Sequence, residues 1–441
     1  MLAGFASVDI TPRVGSRLNG FIARNSESTG IDLPLAARAL WLEEADARAL
    51  FVGLDLLGLE PAFADAVVTR LAEALDLPGE AIVLACTHTH SGPMTAPLRG
   101  LGPADGAYLA VLADRILQAA SEAVSSRQPV RLRWGRAPLA IGVNRRQPSP
   151  DGSGVILGWN PRGPSDAEVR VLCLEGGDAP ILLIHHACHP YCLGGEHTLI
   201  SPDFWGYAAA ALSEEGCHCI YLNGCAGNIR VRTAYQGPEA ARQTGREVAR
   251  AALEAFRRAR EDAEAVVRVR SSAIELPYDA LPDLSRIEAQ LSRPDRTVRD
   301  SERGNPDVRA RIQEAWRQWL AELTGILAER GALPPLVCRV SVARIGGGGL
   351  VVFPGEVFYE VGRMTADRIQ ADPVCVAAYG HGYIGYVPAP DAYPQGGYEI
   401  DEAHRYVGLW RVAPEAAGRL QGAALQLWTA CGGRVRSVNT A

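Results

Sequence analysis

Two short segments of the chain hold five of its nine histidines, and each follows an apolar run that predicts a strand. The first, Thr87–Pro93, reads Thr-His-Thr-His-Ser-Gly-Pro, and the second, His185–Pro190, reads His-His-Ala-Cys-His-Pro. Side chains repeat every two residues in an extended segment, so His88 and His90 should point to the same side. A catalytic zinc needs about three protein ligands and an open position for water, and neutral imidazole suits it. The segments therefore predict a metal site, or one ligand beside a general acid or base.

A carboxylate is needed to complete such a shell, and Glu356 is the candidate. It ends the sequence Phe-Pro-Gly-Glu, between an apolar strand and a helix, where Gly355 permits a sharp turn. Each signal has an ordinary alternative. A lone His-x-His pair is weak, and a glutamate at a helix start is stabilised by the helix dipole without any metal.

A third segment, Asn223–Arg230, is rich in small residues and follows another apolar strand. Small residues allow close approach of the backbone, and successive N–H groups can form an anion-binding nest. A plain turn between a strand and a helix explains the same composition, so both interpretations stay open here.

The elements that must position these residues alternate between strands and helices, which predicts an α/β layered core. Predicted strands cover residues 49–57, 81–86, 169–174, 180–186, 219–222, 340–345, 349–353 and 374–379. Predicted helices cover residues 61–75, 105–125, 204–213, 238–260, 357–369 and 414–430. Residues 279–329 are charged and helical in pattern and are interpreted as an insertion or lid, and residues 384–404 as an ordered loop.

The composition excludes several classes of protein. The net charge of −6 argues against nucleic-acid binding, although all 44 basic residues are arginine. No apolar run reaches the ~18 residues of a membrane span. The ten cysteines show no disulfide pattern, and the first residues do not resemble a secretory signal. A cytoplasmic location without stable membrane insertion is expected.

Taken together, the motifs resemble the catalytic domain of the neutral/alkaline non-lysosomal ceramidases, zinc amidases that release a fatty acid from an N-acyl sphingosine. Thr87–Pro93 is similar to that family's Thr-His-Thr-His-Ser-Gly-Pro signature. The other similar motifs are Val8–Pro12, Ala37–Ala39, Asn144-Arg145, His189 twelve residues before Ser201–Asp203, Pro354–Glu356, and Tyr386 followed by Tyr398-Glu399. The resemblance implies a layered α/β core of mixed β-sheets flanked by helices, as a single domain over residues 1–441.

The resemblance also implies roles for particular residues. One zinc ion per chain would be held by His88, His189, Glu356 and Tyr386, which selects His189 over His185 and His186. Three further residues would face the scissile group of the substrate, namely His90, Arg145 and Tyr398.

Two departures from the family shape the functional prediction. Arg230 stands where the family has a serine that is important to its catalysis, and the chain stops near the end of the catalytic domain. We therefore expect an amidohydrolase that cleaves a linear amide with zinc-activated water, on a small polar or anionic substrate rather than ceramide. Arg230 and Asn228 are predicted to bind that substrate, although Arg230 could instead pair with an acidic residue across a loop.

Two other functions fit the same residues. A zinc esterase or lactonase would use the same site, because zinc hydroxide attacks esters more readily than amides. A zinc-binding protein with a relic site is the alternative from another class, favoured by the missing serine. The sequence leaves the oligomeric state open.

Overall fold

The computed structural model describes residues 1–262, 264–281 and 305–437, in which strands and helices alternate. The first strands are β1 (Leu2–Asp9), β2 (Gly30–Ile31), β3 (Ala36–Glu44), β4 (Ala47–Leu54), β5 (Ile82–Cys86), β6 (Gln128–Pro129), β7 (Arg131–Pro138), β8 (Gly142–Pro148), β9 (Val155–Asn160), β10 (Glu168–Glu175), β11 (Ile181–His186) and β12 (Leu199–Ile200). The later strands are β13 (His218–Asn223), β14 (Ile229–Val231), β15 (Arg260–Glu261), β16 (Val267–Leu276), β17 (Leu336–Ile345), β18 (Gly348–Pro354), β19 (Glu356–Val357), β20 (Ile369–Gln370), β21 (Val374–Gly380), β22 (Tyr386–Val387) and β23 (Arg434–Val435).

The helices lie between these strands and outside the sheets. They are α1 (Pro61–Leu75), α2 (Gly106–Ser125), α3 (Phe204–Glu214), α4 (Pro238–Arg257), α5 (Pro306–Arg330), α6 (Tyr359–Arg368), α7 (Tyr398–Asp401), α8 (His404–Val407) and α9 (Ala416–Ala430). Two short 3-10 helices cover Gly79–Ala81 and Pro390–Gln395. Within the described residues, none of the helices combines the length and the apolar character needed to cross a bilayer.

Two large mixed sheets carry the fold. The larger has the strand order β16-β17-β18-β21-β5-β4-β3-β1-β6, and the smaller has the order β13-β11-β10-β7-β15. Strands β4 and β5 run parallel, as do β18 with β21 and β11 with β13. The hairpin β3–β4 and the pair β10–β11 are antiparallel. The predicted α/β class with mixed sheets and flanking helices is confirmed.

The two sheets pack face to face, with helices on both outer sides. Every residue of β5 is buried, as expected for a strand covered on both faces. Because successive side chains of a strand alternate, Ala85 packs with Leu222 of the smaller sheet, whereas Leu84 faces the cluster that includes α1, α2 and α9. Helices α3 and α4 cover the far side of the smaller sheet. The layers are therefore helix, sheet, sheet and helix.

The sheets also connect where their central strands end. Gly224, directly after β13, forms a β-bridge to Ala377 of β21. Gly380, the last residue of β21, pairs with Ala85 near the end of β5. Segments that leave the ends of β5, β11, β18 and β21 therefore start close to one another.

The predicted insertion at residues 279–329 is described only in part. Residues 282–304 lie outside the described residues, and the remainder contains α5, which begins at Pro306 as a proline at the first helical position favours. Trp316 of α5 packs with Tyr406, and Trp319 stacks on Trp410 with ring centroids 5.9 Å apart. Whether the whole insertion moves as a lid stays a prediction.

Local pattern predicts some elements better than others. Helix α1 has the predicted bounds, with proline at its start and a buried stripe at helical spacing. Residues 384–404, predicted as an ordered loop, contain β22, a 3-10 helix and α7. A segment rich in glycine, proline and tyrosine gives little local signal for such short elements. Their conformations are fixed by long-range contacts rather than by local propensity.

Glycine at position 135 is required by the close contact between β7 and α4. A Cβ atom there would lie 2.0 Å from the carbonyl oxygen of Ala255 in α4. Gly422 in α9 is a matched control, since a Cβ atom there meets nothing within 4 Å.

We predict that Gly135→Ala lowers the free energy of unfolding by about 1–3 kcal/mol, because the helix must move off the sheet. Gly422→Ala should raise that free energy by up to about 1 kcal/mol, as alanine does inside a helix. Chemical denaturation of both variants measures the difference. Equal stability of the two variants would contradict the close packing of α4 on β7.

Candidate metal and catalytic site

His88 lies two residues beyond the end of β5 and is fully buried. Its φ of 70° is left-handed, so the segment is not extended and the predicted geometric reason for His88 and His90 sharing a side is wrong. The two rings still meet, with centroids 5.0 Å apart. Nδ1 of His88 lies 2.7 Å from the carbonyl oxygen of Leu57. A carbonyl only accepts, so Nδ1 carries a proton, and in the neutral ring Nε2 keeps a lone pair for a metal.

His189, three residues beyond β11, is held in the same way. Its Nδ1 lies 2.6 Å from the carbonyl oxygen of Ala226, which leaves Nε2 without a proton. Burial lowers the pKa of His189 to about 4, and the positive charge of Arg145 acts in the same direction. The ring is therefore neutral near pH 7, which is the form that binds metals.

Glu356 reaches both imidazoles from the end of β18. The turn before it needs glycine, because Gly355 has a φ of 65° and a Cβ atom there would lie 2.4 Å from the carbonyl oxygen of Gly385. Oε2 of Glu356 lies 3.0 Å from Nε2 of His189 and 3.4 Å from Nε2 of His88. This carboxylate is buried, at 2% exposure, so it needs a positive partner, which a cation bound between His88 and His189 would supply.

The histidine cluster fits a divalent metal ion. Nitrogen atoms of His88, His90 and His189 all lie within 4.8 Å of one another. Within the described part of the chain, Nε2 of His88 and both ring nitrogens of His90 are buried without a hydrogen-bond partner. Buried polar atoms are normally satisfied, so the free Nε2 of His88 beside a carboxylate suits a nitrogen- and oxygen-ligated metal ion, and the free nitrogens of His90 leave it available to a ligand or a proton.

His90 is wedged beside the other two imidazoles by the N-terminal segment. A Cβ atom on Gly20, whose φ is 98°, would lie 2.6 Å from the His90 ring. Arg24 donates a 2.7 Å hydrogen bond to the carbonyl oxygen of His90, and the ring of Phe21 lies 4.9 Å away. Burial lowers the pKa of His90 well below its ordinary value, so this ring too is neutral.

Arg145 reaches the cluster from β8 and is fixed by an acidic partner. Its Nε donates to Glu399 at 2.9 Å, and Arg146 donates to the other carboxylate oxygen of Glu399 at 2.9 Å. The remaining nitrogens of Arg145 face the cluster, at 2.9 Å from the hydroxyl of Tyr386 and 3.4 Å from Nε2 of His189. Tyr398 lies against Tyr386, with ring centroids 5.9 Å apart.

Asn228 and Arg230, the predicted substrate-binding residues, differ in their surroundings. Asn228 is fully buried, donates to Glu360 at 2.7 Å and accepts from the backbone N–H of Tyr359 at 2.9 Å, so its amide fixes the start of α6. Contact of Asn228 with a substrate stays a prediction. Arg230 is half-buried next to His189, to which its backbone forms a β-bridge.

His185 and His186 lie away from the cluster. Nδ1 of His186 contacts the carbonyl oxygen of Glu168 at 3.0 Å and the carboxylate of Asp166 at 3.5 Å. His185 lies in β11 and lines a small cavity together with Asp166. Of the three histidines of the second segment, His189 is the one that the structure brings to His88.

Tyr383 is a contact that sequence reasoning missed. Its hydroxyl donates to Oε1 of Glu356, the carboxylate oxygen turned away from the imidazoles. Tyr379 was missed as well, and its ring stacks on His88 with centroids 4.1 Å apart. The signal in the sequence was the recurrence of tyrosine near Tyr386. It was weak, because Tyr379 lies at the end of an apolar strand and Tyr383 lies in a loop.

The fold and the site define a layered α/β protein with a buried cluster of imidazoles and a carboxylate suited to a metal. The profile of the family described as neutral/alkaline non-lysosomal ceramidase, N-terminal, matches residues 1–229. The chain therefore belongs to the neutral/alkaline non-lysosomal ceramidase family. Ceramidases hydrolyse an amide bond, so membership supports hydrolysis of an amide.

Solved structures share the fold over the described chain and beyond the matched family region. The crystal structure of neutral ceramidase from Pseudomonas aeruginosa has a TM-score of 0.72 at 20% identity, covering 97% of this chain and 74% of that chain. A ceramidase complexed with C2 has a TM-score of 0.71 at 18% identity, covering 100% of this chain and 77% of that chain. A search of curated proteins found no significant match.

We predict that His88→Ala and His189→Ala each weaken zinc binding by more than about 100-fold, since loss of outer-shell partners alone costs about 10- to 100-fold. His218→Ala is the matched control, because His218 is exposed on β13 and stacks on Phe5. Zinc content after dialysis against a weak chelator measures the effect. Stoichiometric zinc in His88→Ala would remove His88 from the ligand set.

Proposed function

We propose that this chain is a zinc-dependent hydrolase that cleaves a linear amide bond in a small polar or anionic substrate rather than in ceramide. One observation carries the proposal: the Nε2 atoms of His88 and His189 face the same oxygen of Glu356 while both Nδ1 atoms are bound to carbonyls. Two imidazoles and a carboxylate form a common shell of a hydrolytic zinc. Family membership supports an amide as the bond that is cleaved.

His88, His189 and Glu356 would hold one zinc ion per chain, with Tyr386 as the proposed fourth ligand. Bound zinc would supply a Lewis acid for the scissile carbonyl and lower the pKa of a water molecule to about 7. Arg145 bonds both to the hydroxyl of Tyr386 and to Glu399, and so keeps that tyrosine turned toward the cluster.

His90 is the proposed proton carrier. Its ring is neutral, and neither nitrogen has a protein partner among the described residues, so one nitrogen can take the proton of the attacking water. The same nitrogen can then return that proton to the amine nitrogen of the leaving group. Arg145 and the hydroxyl of Tyr398 would stabilise negative charge that develops on the carbonyl oxygen.

The walls beside the cluster support a small polar substrate. Tyr191 lies between the cluster and Tyr235, with its ring 5.2 Å from His189 and 5.3 Å from Tyr235. Tyr235 in turn lies 5.5 Å from the guanidinium of Arg230. A phenol-lined wall that ends on a cation suits a compact substrate with polar groups better than two long lipid chains.

The test is hydrolysis of a substrate panel by zinc-loaded and chelator-treated protein. We expect turnover of N-acyl amino acids that is lost on chelation and restored by zinc, with little turnover of ceramide. Fastest turnover of ceramide would refute the substrate class, and exclusive turnover of esters or lactones would favour an esterase or lactonase. Stoichiometric zinc without turnover of any compound would favour a binding protein.

We predict that His90→Gln retains zinc but lowers kcat by about 10²- to 10⁴-fold, the usual contribution of a general acid–base group. Steady-state kinetics and metal analysis of the same preparation give both quantities. Loss of zinc in His90→Gln would make His90 a ligand instead of the proton carrier.

A further inference from the structure

Arg230 is placed beside the metal cluster by the backbone. Strand β14 pairs with β8 on one side, with Arg230 opposite Val143, and Arg230 forms a β-bridge to His189 on the other. His189 donates its backbone N–H to the carbonyl oxygen of Ile229 at 3.1 Å, so the two segments are locked together. The side chain of Arg230 therefore starts one strand spacing from a proposed zinc ligand.

The guanidinium of Arg230 is held in place but is not neutralised. One terminal nitrogen donates to the carbonyl oxygen of Gly158 at 3.1 Å, and the ring faces of Trp159 and Tyr235 lie 5.9 and 5.5 Å from its central carbon. Its Nε is buried and has no partner in residues 1–262, 264–281 and 305–437. The sequence alternative, in which Arg230 pairs with an acidic residue across a loop, finds no such partner among these residues.

The buried Nε–H of Arg230 lacks an acceptor, which is unfavourable for the folded protein. A ligand that supplies an acceptor would therefore stabilise the side chain in this position. Arg145 has a carboxylate partner in Glu399, which it shares with Arg146, and Arg24 donates to the backbone carbonyl groups of Asn19 and His90. The guanidinium of Arg230 has the geometry to bind the two oxygens of a carboxylate side-on through two parallel hydrogen bonds.

A continuous wall of rings links this cation to the reaction centre. His90 and His189 both contact Tyr191, with ring centroids 5.3 and 5.2 Å apart, and Tyr191 stacks on Tyr235 at 5.3 Å. Tyr235 then faces the guanidinium of Arg230. A substrate lying on this wall would have its amide at the cluster and an acidic group against the guanidinium of Arg230.

We propose that Arg230 determines specificity by binding a carboxylate next to the scissile amide, so that the substrates are N-acyl amino acids. This inference rests on the proposed amide hydrolysis. Trp159, which is 44% exposed, would form the outer edge of the carboxylate subsite.

The test compares N-acetylglycine with N-acetylethanolamine, which replaces the carboxylate by a neutral alcohol. Arg230→Ser should lower kcat/KM for N-acetylglycine by about 10- to 100-fold, mainly through KM, since a charged hydrogen bond is worth about 1.5–3 kcal/mol. Turnover of N-acetylethanolamine should be unchanged. Arg232→Ser is the matched control, because Arg232 is exposed two residues further along.

A binding experiment tests the carboxylate subsite independently of the proposed amide hydrolysis. Calorimetric titration of zinc-loaded protein with N-acetylglycine should show affinity that falls in Arg230→Ser and in Arg230→Gln but not in Arg232→Ser, even if no amide is hydrolysed. Zinc content and melting temperature exclude a folding defect. Equal turnover or binding of the two compounds by the wild type, or equal losses for both compounds in Arg230→Ser, would overturn the carboxylate subsite.

Discussion

The backbone carbonyl groups of Leu57 and Ala226 fix the two imidazoles on which the site depends. Each accepts a hydrogen bond from Nδ1 of a histidine, so that in the neutral ring Nε2, the nitrogen facing Glu356, is the atom without a proton. Leu57 follows a strand of the larger sheet and Ala226 follows a strand of the smaller one. His88 and His189 therefore meet because the two sheets pack face to face. Helices α1 to α4 matter to the chemistry because they bury this packing.

The metal cluster combines a strained backbone and a buried charge, both of which lower the stability of the folded protein. His88 has a left-handed backbone, and Glu356 carries its charge in a buried position with 2% exposure. The left-handed backbone costs on the order of 1–3 kcal/mol and persists only where the surrounding structure imposes it. A buried charge without a positive partner is unfavourable as well. A bound cation would compensate the buried carboxylate, so metal binding and stability should be coupled.

Sequence predicted which residues the structure brings together better than it predicted their geometry. The His-x-His pair, the Pro-Gly-Glu turn and the strands before them are local patterns, and they led to His88 and Glu356 directly. The extended conformation expected for His88 was wrong, because a residue's φ near a strand end depends on what packs against it, here Tyr379. Tyr383 was missed because its role depends only on a partner far away in the chain.

The order of the layers, helix, sheet, sheet and helix, could not be predicted because it also depends on long-range packing. Apolar runs such as β5 show that a strand is buried on both faces, but not whether helices or a second sheet cover each face. Arg230 illustrates the opposite case. Its departure from the family motif was visible in the sequence, but only the structure shows that no acidic side chain among the described residues pairs with it.

The most direct test of the central claim is anomalous diffraction at the zinc edge from crystals grown with zinc. We expect one strong peak per chain, about 2.0–2.2 Å from Nε2 of His88, Nε2 of His189 and an oxygen of Glu356. A peak bound elsewhere, or the absence of any peak while these three side chains keep only each other as partners, would contradict the account.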